Sequence, residues 1–212
     1  MPCKIVNIMM NKKDIIWYTQ IMKTNKNTII YDTVEKRIVS EFLKLLQSVG
    51  YKQITVSQLI INSQINRSTF YAHFLDKEDL ITHLQVNLLT ELTKDLPEVN
   101  VYSLNDQDIV RGRIETIINR VYDKKALFKL FYSDKSDGLF FSRFSNFSEQ
   151  LLLQTDIPER MTVPEVYSFA VIDGVMVNLI QNWIKRDFVE TPEEFSGIVS
   201  HILPIMFKGI IA

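Results

Sequence analysis

Three helix-start signals crowd into 22 residues, at Thr55, Asn66 and Asp76, and no other feature of this chain constrains its fold as tightly. Thr55-Val-Ser-Gln58 reads as a capping box: the threonine hydroxyl can accept from the N3 amide while Gln58 reaches back to the N-cap amide. Ile54 and Leu59 flank it as a hydrophobic staple. The grammar repeats at Asn66, with Ile65 and Phe70 as staple, and at Asp76, with Asp79 at N3 and Leu75 opposite Leu80. Helices as short as those after Thr55 and Asn66 cannot stand alone and need a third behind them. The stretch Thr33 to Val49 supplies it, with Val34, Ile38, Phe42, Leu45, Leu46 and Val49 at helical spacing and Gly50 where a left-handed cap is wanted. The spacing therefore predicts a compact three-helix head. A longer helix, from Asp76 to about Leu96, leads out of it.

With only 6 prolines and 6 glycines in 212 residues, the rest reads as helix too. Beyond a polar link from Pro97 to Gln107, helices are expected near 108–122, 124–133, 138–153, 163–187 and 192–210. Thr162 with Glu165 and Thr191 with Glu194 read as capping boxes, each with proline in the first turn. From Val166 to Ile184 apolar positions nearly encircle the helix, so it must be covered on two sides. Phe195, Ile198, Val199, Ile202, Leu203 and Met206 form a stripe on the next, and Pro204 is expected to kink or end it. Residues 1–30 show no consistent period and read as an arm or short accessory helix, with Met22 an alternative start. The fold class is all-α, divided into an arm (1–31), a three-helix head (32–84) and a helical second domain (85–212).

Composition narrows the function classes. The most hydrophobic segment carries Asp173, Asn178, Gln181 and Asn182, so no membrane span is expected. The single cysteine, Cys3, excludes an internal disulfide framework, and the first 30 residues lack the pattern of a secretory signal, which points to the cytoplasm. Charge is split: residues 1–85 hold 11 Lys or Arg against 7 Asp or Glu, while the remainder holds 13 against 18. The basic excess lies at the end that carries the head. His73, His83 and His201 fall in no metal-ligand spacing, and there is no glycine-rich phosphate loop, so neither metal nor cofactor is expected and the chain does not read as an enzyme. An all-α enzyme using scattered carboxylates is the competing class.

The segment Gly50 to Leu80, GYKQITVSQLIINSQINRSTFYAHFLDKEDL, carries the function. With Asn66 as cap, Arg67, Ser68 and Thr69 occupy the first turn of the third helix, where a recognition helix in a major groove meets base edges. Phe70 and Phe74 face inward. Tyr71, His73 and Lys77 are candidates for phosphate contacts, and Thr55 marks an amide-terminus phosphate site. Taken singly, such aromatics and such a histidine are ordinary core residues. Gly50-Tyr51, Thr55-Val56, Arg67-Ser-Thr69-Phe70-Tyr71-Ala-His73-Phe74, Lys77-Glu78 and Leu80 together resemble the head of the tetracycline-repressor (TetR) family, over roughly residues 33 to 85.

That resemblance implies a homodimer, built by the last two helices of each subunit, on palindromic operator DNA. It further implies a repressor whose divergent C-terminal domain senses a ligand and changes the spacing of the two heads. A small, largely apolar effector is the expected signal, with Phe128, Phe131, Phe144, Phe147, Tyr167 and Asn178 as candidate pocket residues and Asp173 as an alternative polar group. Control by a protein partner is the alternative. The sequence departs from the family at Ser63-Gln64, where alanine-glycine is usual. Either Gln64 adopts a left-handed conformation, at about 1 to 2 kcal/mol, or the turn differs.

Overall fold

A computed structural model describes residues 27–97, 100, 103–104 and 106–211. Cys3, Met22 and most of the expected arm lie outside the described residues. Those residues form an all-α protein of nine helices: α1 (Asn27–Ser48), α2 (Val56–Asn62), α3 (Arg67–His73), α4 (Lys77–Thr93), α5 (Gln107–Asp123), α6 (Lys125–Tyr132), α7 (Phe140–Leu153), α8 (Glu165–Lys185) and α9 (Pro192–Ile210). An isolated bridge between Met161 and Ile211 is the one extended pairing among them. Helix α1 starts at Asn27, six residues before the expected Thr33, and so takes in part of the expected arm.

The chain divides into two compact units. The first joins the described residues up to Leu88 with Leu130–Phe140, and the second comprises Leu89–Lys129 and Phe141 onward. In the first, Ile38, Phe42 and Leu46 of α1 are fully buried, as are Leu59, Phe70, Leu80 and Ile81. Val49 is the exception on the α1 stripe and is exposed, because the helix ends there. Its terminus is closed by the amides of Val49 and Gly50, which both donate to the Leu45 carbonyl, at 2.8 and 3.3 Å. Gly50 has φ 82 and ψ 157, a conformation essentially reserved for glycine.

The segment 130–140 is a strap on this unit that the sequence reading did not include. The Tyr51 amide donates to the Lys135 carbonyl at 2.7 Å, and the Lys135 ammonium donates to the Gln47 carbonyl at the end of α1. Gln85, fully buried, donates through Nε2 to Asp137 Oδ1 at 3.2 Å. A Cβ on Gly50 would sit 3.5 Å from the Lys135 carbonyl oxygen, so glycine is required there by the backbone conformation more than by the space.

The second unit is organised around Trp183, 1% exposed. Its indole stacks on Phe195 at 4.2 Å and on Tyr122 at 5.9 Å, meets Phe188 edge-on at 4.8 Å, and donates to the Glu190 carbonyl at 3.0 Å. Those contacts pin the turn from α8 to α9, where Asp187 and Phe188 have φ 59 and 56. Burial of the Phe188 ring offsets that unfavourable backbone. Helix α9 packs along α5. Arg120 of α5 caps the end of α4 by donating to the carbonyls of Glu91, Leu92 and Lys94.

Three local expectations are corrected. Thr162 does not cap α8: its amide donates to the Ile210 carbonyl beside the Met161–Ile211 bridge, and the helix opens after Pro164 without a side-chain cap. Pro204 does not end α9, which continues to Ile210. Leu75 is 71% exposed while Leu80 is buried, so no staple forms between them, and the Asp79 carboxylate accepts from the Leu75 amide at 2.8 Å. The Thr191 capping box is complete, with both reciprocal bonds to Glu194 at 2.8 and 3.2 Å.

Candidate nucleic-acid interface

Helices α2 and α3 are seven residues each, and polar bonds at their starts hold them in register. Thr55 Oγ1 accepts from the Gln58 amide at 3.2 Å, while Gln58 Oε1 accepts from the Thr55 amide at 2.8 Å. The turn between them is made by Gln64 at φ 52, which resolves the question left by the missing glycine: glutamine takes the left-handed conformation itself. The Ile65 amide then returns to the Ile60 carbonyl at 3.2 Å. At the start of α3 a single atom, Asn66 Oδ1, accepts from the Thr69 amide at 2.7 Å, the Ser68 hydroxyl at 2.7 Å and the Thr69 hydroxyl at 2.8 Å.

The side chains proposed to face DNA fall into two groups. Thr55, Arg67, Ser68 and Tyr71 are exposed, Thr69 is half-buried, and the Tyr71 ring rests edge-on against buried Phe70 at 5.5 Å. Phe70 and Phe74 are buried as expected and anchor α3 from behind. His73 and Lys77 are different. His73 is 3% exposed and lies inside the head with Nδ1 3.8 Å from Glu35 Oε2, which leaves no surface for a phosphate. The Lys77 ammonium donates to the carbonyls of Tyr51 and Ile54, both at 3.0 Å, and lies 4.5 Å from the centroid of the Tyr51 ring. It therefore ties the start of α4 to the segment before α2, with its charge already engaged.

Glu35 is the residue that sequence reasoning missed. It accepts from His83 at 3.1 Å and faces His73, so one α1 carboxylate links α3 and α4. Asn87 and His83 are within 2.8 Å of each other on α4. The imidazoles of His73 and then His83 hold the Glu35 carboxyl down at about 2, against an ordinary 4.5, and partial burial opposes them. A signal existed in the sequence: Glu35 stands three and seven residues before Ile38 and Phe42, on the face α1 buries.

The six candidate pocket residues have different surroundings, Phe131 in the first unit and the other five in the second. Phe128, Phe131 and Phe147 are closed into the cores of the units, because rings of that size supply the volume between short helices. Phe144 is half-buried beside Phe141, Tyr167 is 64% exposed, and Asn178 lies on the outside of α8, donating to its own helix at the Gly174 carbonyl. One cavity of the second unit is lined by α7 and α8 and includes Asp173. Among the described residues no group of His, Cys, Asp or Glu could hold a metal ion, and no helix is long and apolar enough to cross a membrane.

Comparison with known proteins agrees with this architecture. The TetR-type family described as "Transcriptional regulator C-terminal region" matches residues 111–204. The HTH-type dhaKLM operon transcriptional activator DhaS of Lactococcus lactis subsp. lactis (strain IL1403) is 30% identical over 109 residues, 50% of this chain and 54% of that one, so the chain matches about half the length of this curated relative. A TetR transcriptional regulator from Streptococcus agalactiae 2603V superposes with a TM-score of 0.58 at 22% identity, covering 83% of this chain and 96% of that one. NalD of Pseudomonas aeruginosa, described as the secondary repressor of the MexAB-OprM multidrug efflux pump, gives 0.56 at 14% identity, over 85% and 97%. The structural likenesses, at 22% and 14% identity, show the fold alone, and the family match lies in the second half of the chain. Over residues 111–204 the chain is similar to the C-terminal region of TetR-type transcriptional regulators, and its all-α fold is that of solved regulators of this type.

Proposed function

We propose that the chain binds palindromic operator DNA as a homodimer, with α3 entering the major groove and a signal received in the second unit releasing it. The observation that carries this reading is the exposed first turn of α3, Arg67 and Ser68 outward, on a helix whose opposite side is locked by buried Phe70 and Phe74. Arg67, Ser68 and Thr69 address base edges, Tyr71 and Thr55 the backbone, and His73 and Lys77 hold the head's shape. In competition binding against a set of operator variants, Arg67→Ala is expected to relax preference at particular positions by about 1 to 3 kcal/mol. Lys77→Ala is expected to lower head stability while leaving the salt dependence of binding unchanged. A slope reduced by about one for Lys77→Ala would return that lysine to the phosphate contacts.

Dimerisation is supported by apolar side chains that α8 and α9 leave outside: Tyr167 and Val171 on the first, Ile198 and Ile205 on the second. A charge at Tyr167 or Ile205 is expected to give monomer in sedimentation with much weaker operator binding, and a native-like monomer for the unmodified chain would sink the reading. Repression is the sign of regulation proposed. The likeness to an activator favours a second reading, and a reporter with the operator moved upstream or across the promoter decides between them.

A further inference from the structure

The second unit contains a half-open cavity of about 240 Å³ between α7 and α8, lined by Ser148, Glu149 and Leu152 from one helix and Val166, Phe169, Ala170 and Asp173 from the other. Its volume falls below the roughly 300 to 1,000 Å³ that house drug-sized ligands, so an occupant must be small. Its chemistry is uneven. Leu152, Val166, Phe169 and Ala170 make apolar walls, while Asp173 and Glu149 contribute carboxylates. No lysine, arginine or histidine is among the lining residues.

Asp173 is the informative group. Its Oδ2 accepts from the Ser145 hydroxyl at 2.6 Å, which fixes the carboxylate, whereas Oδ1 is out of solvent and has no hydrogen-bond partner among the described residues. A buried carboxylate oxygen left unsatisfied carries a desolvation penalty that a donor on a ligand would remove. A neutral donor would satisfy the bond. A cationic donor would also balance the charge of two carboxylates.

We propose that this cavity binds a small organic cation, a protonated amine on a compact apolar body, with the ammonium donating to Asp173 Oδ1 and the apolar part against Phe169, Leu152 and Val166. This deepens, and rests on, the reading of the second unit as the one that receives the signal. It replaces a purely apolar ligand with one that carries positive charge.

The test is calorimetric titration of the full chain, without DNA, using benzylammonium, benzyl alcohol and benzoate as matched probes. Benzylammonium is expected to bind at least about tenfold more tightly than the alcohol, benzoate not at all, and Asp173→Asn to weaken benzylammonium by about tenfold or more. Ala170→Phe, a substitution at an exposed position, fills the mouth and is expected to block binding even if Asp173→Asn does not fold. Equal affinity for charged and neutral probes, indifference to both variants, or no benzylammonium binding by the folded protein would each overturn the proposal. Operator binding is measured separately on the same samples. Loss of DNA binding with intact amine binding counts against the regulatory reading, and the converse counts against this site.

Discussion

The two units of the molecule are held together by different means. In the first, polar atoms do much of the specifying: one asparagine oxygen takes three donors at the start of α3, one carboxylate faces two histidines, and one lysine closes on two carbonyls. In the second, the organising contacts are between rings stacked around Trp183. A head that must present the same few side chains every time is well served by directional bonds. A unit proposed to receive a ligand is served by volume, which tolerates many sequences.

The largest expected effect lies on the apolar side of this contrast. Trp183→Ala removes the stacking partner of Phe195 and Tyr122 and the bond to the Glu190 carbonyl, and is expected to cost about 3 to 5 kcal/mol in denaturant unfolding followed by circular dichroism. A loss below about 1 kcal/mol would mean that the cluster closes around the gap and that volume does not organise this unit.

The next effect tests the polar side. Because the carboxyl of Glu35 is held at about 2 in the folded protein, below its ordinary 4.5, its contribution is present above pH 4.5 and disappears as the pH falls through about 2. Glu35→Gln is expected to lower stability at neutral pH on the order of 1 to 3 kcal/mol, discounted because the side chain keeps 28% of its exposure. The variant should also show a shallower loss between pH 4.5 and 2 than the native chain. Parallel acid-unfolding curves for the two proteins would remove Glu35 from the account.

The smallest effect is a gain. Gln64→Gly relieves the left-handed glutamine at φ 52 but adds freedom to the unfolded chain, so a net stabilisation of about 1 kcal/mol or less is expected by thermal unfolding. A destabilised variant would show that the glutamine side chain contributes more than its backbone loses.

What the sequence disclosed follows the same division. The caps at Thr55, Asn66 and Thr191 act over three or four residues, so their partners were visible in the text of the chain. The burial of His73 and the engagement of Lys77 depend on residues 38 and 26 positions away, which local spacing does not reveal. Thr162 misled because its capping pattern lost to a partner at Ile210. The aromatic run from Phe128 to Phe147 was legible as a cluster but not as core or cavity, since ring composition is the same for both. Asp173, a charged residue in a largely apolar helix, was the one cavity residue that stood out.

The strap of residues 130–140 also orders events during synthesis. A chain emerging from its N-terminus has made α1 to α3 and the start of α4 by Leu88, yet the carbonyl that receives the Tyr51 amide belongs to Lys135. At about 5 to 20 residues per second, several seconds separate the two. Throughout that interval the nascent head lacks its closing bonds, so a fragment truncated near Leu88 and exported as a DNA-reading module would carry the reading helix but not the clasp that finishes it.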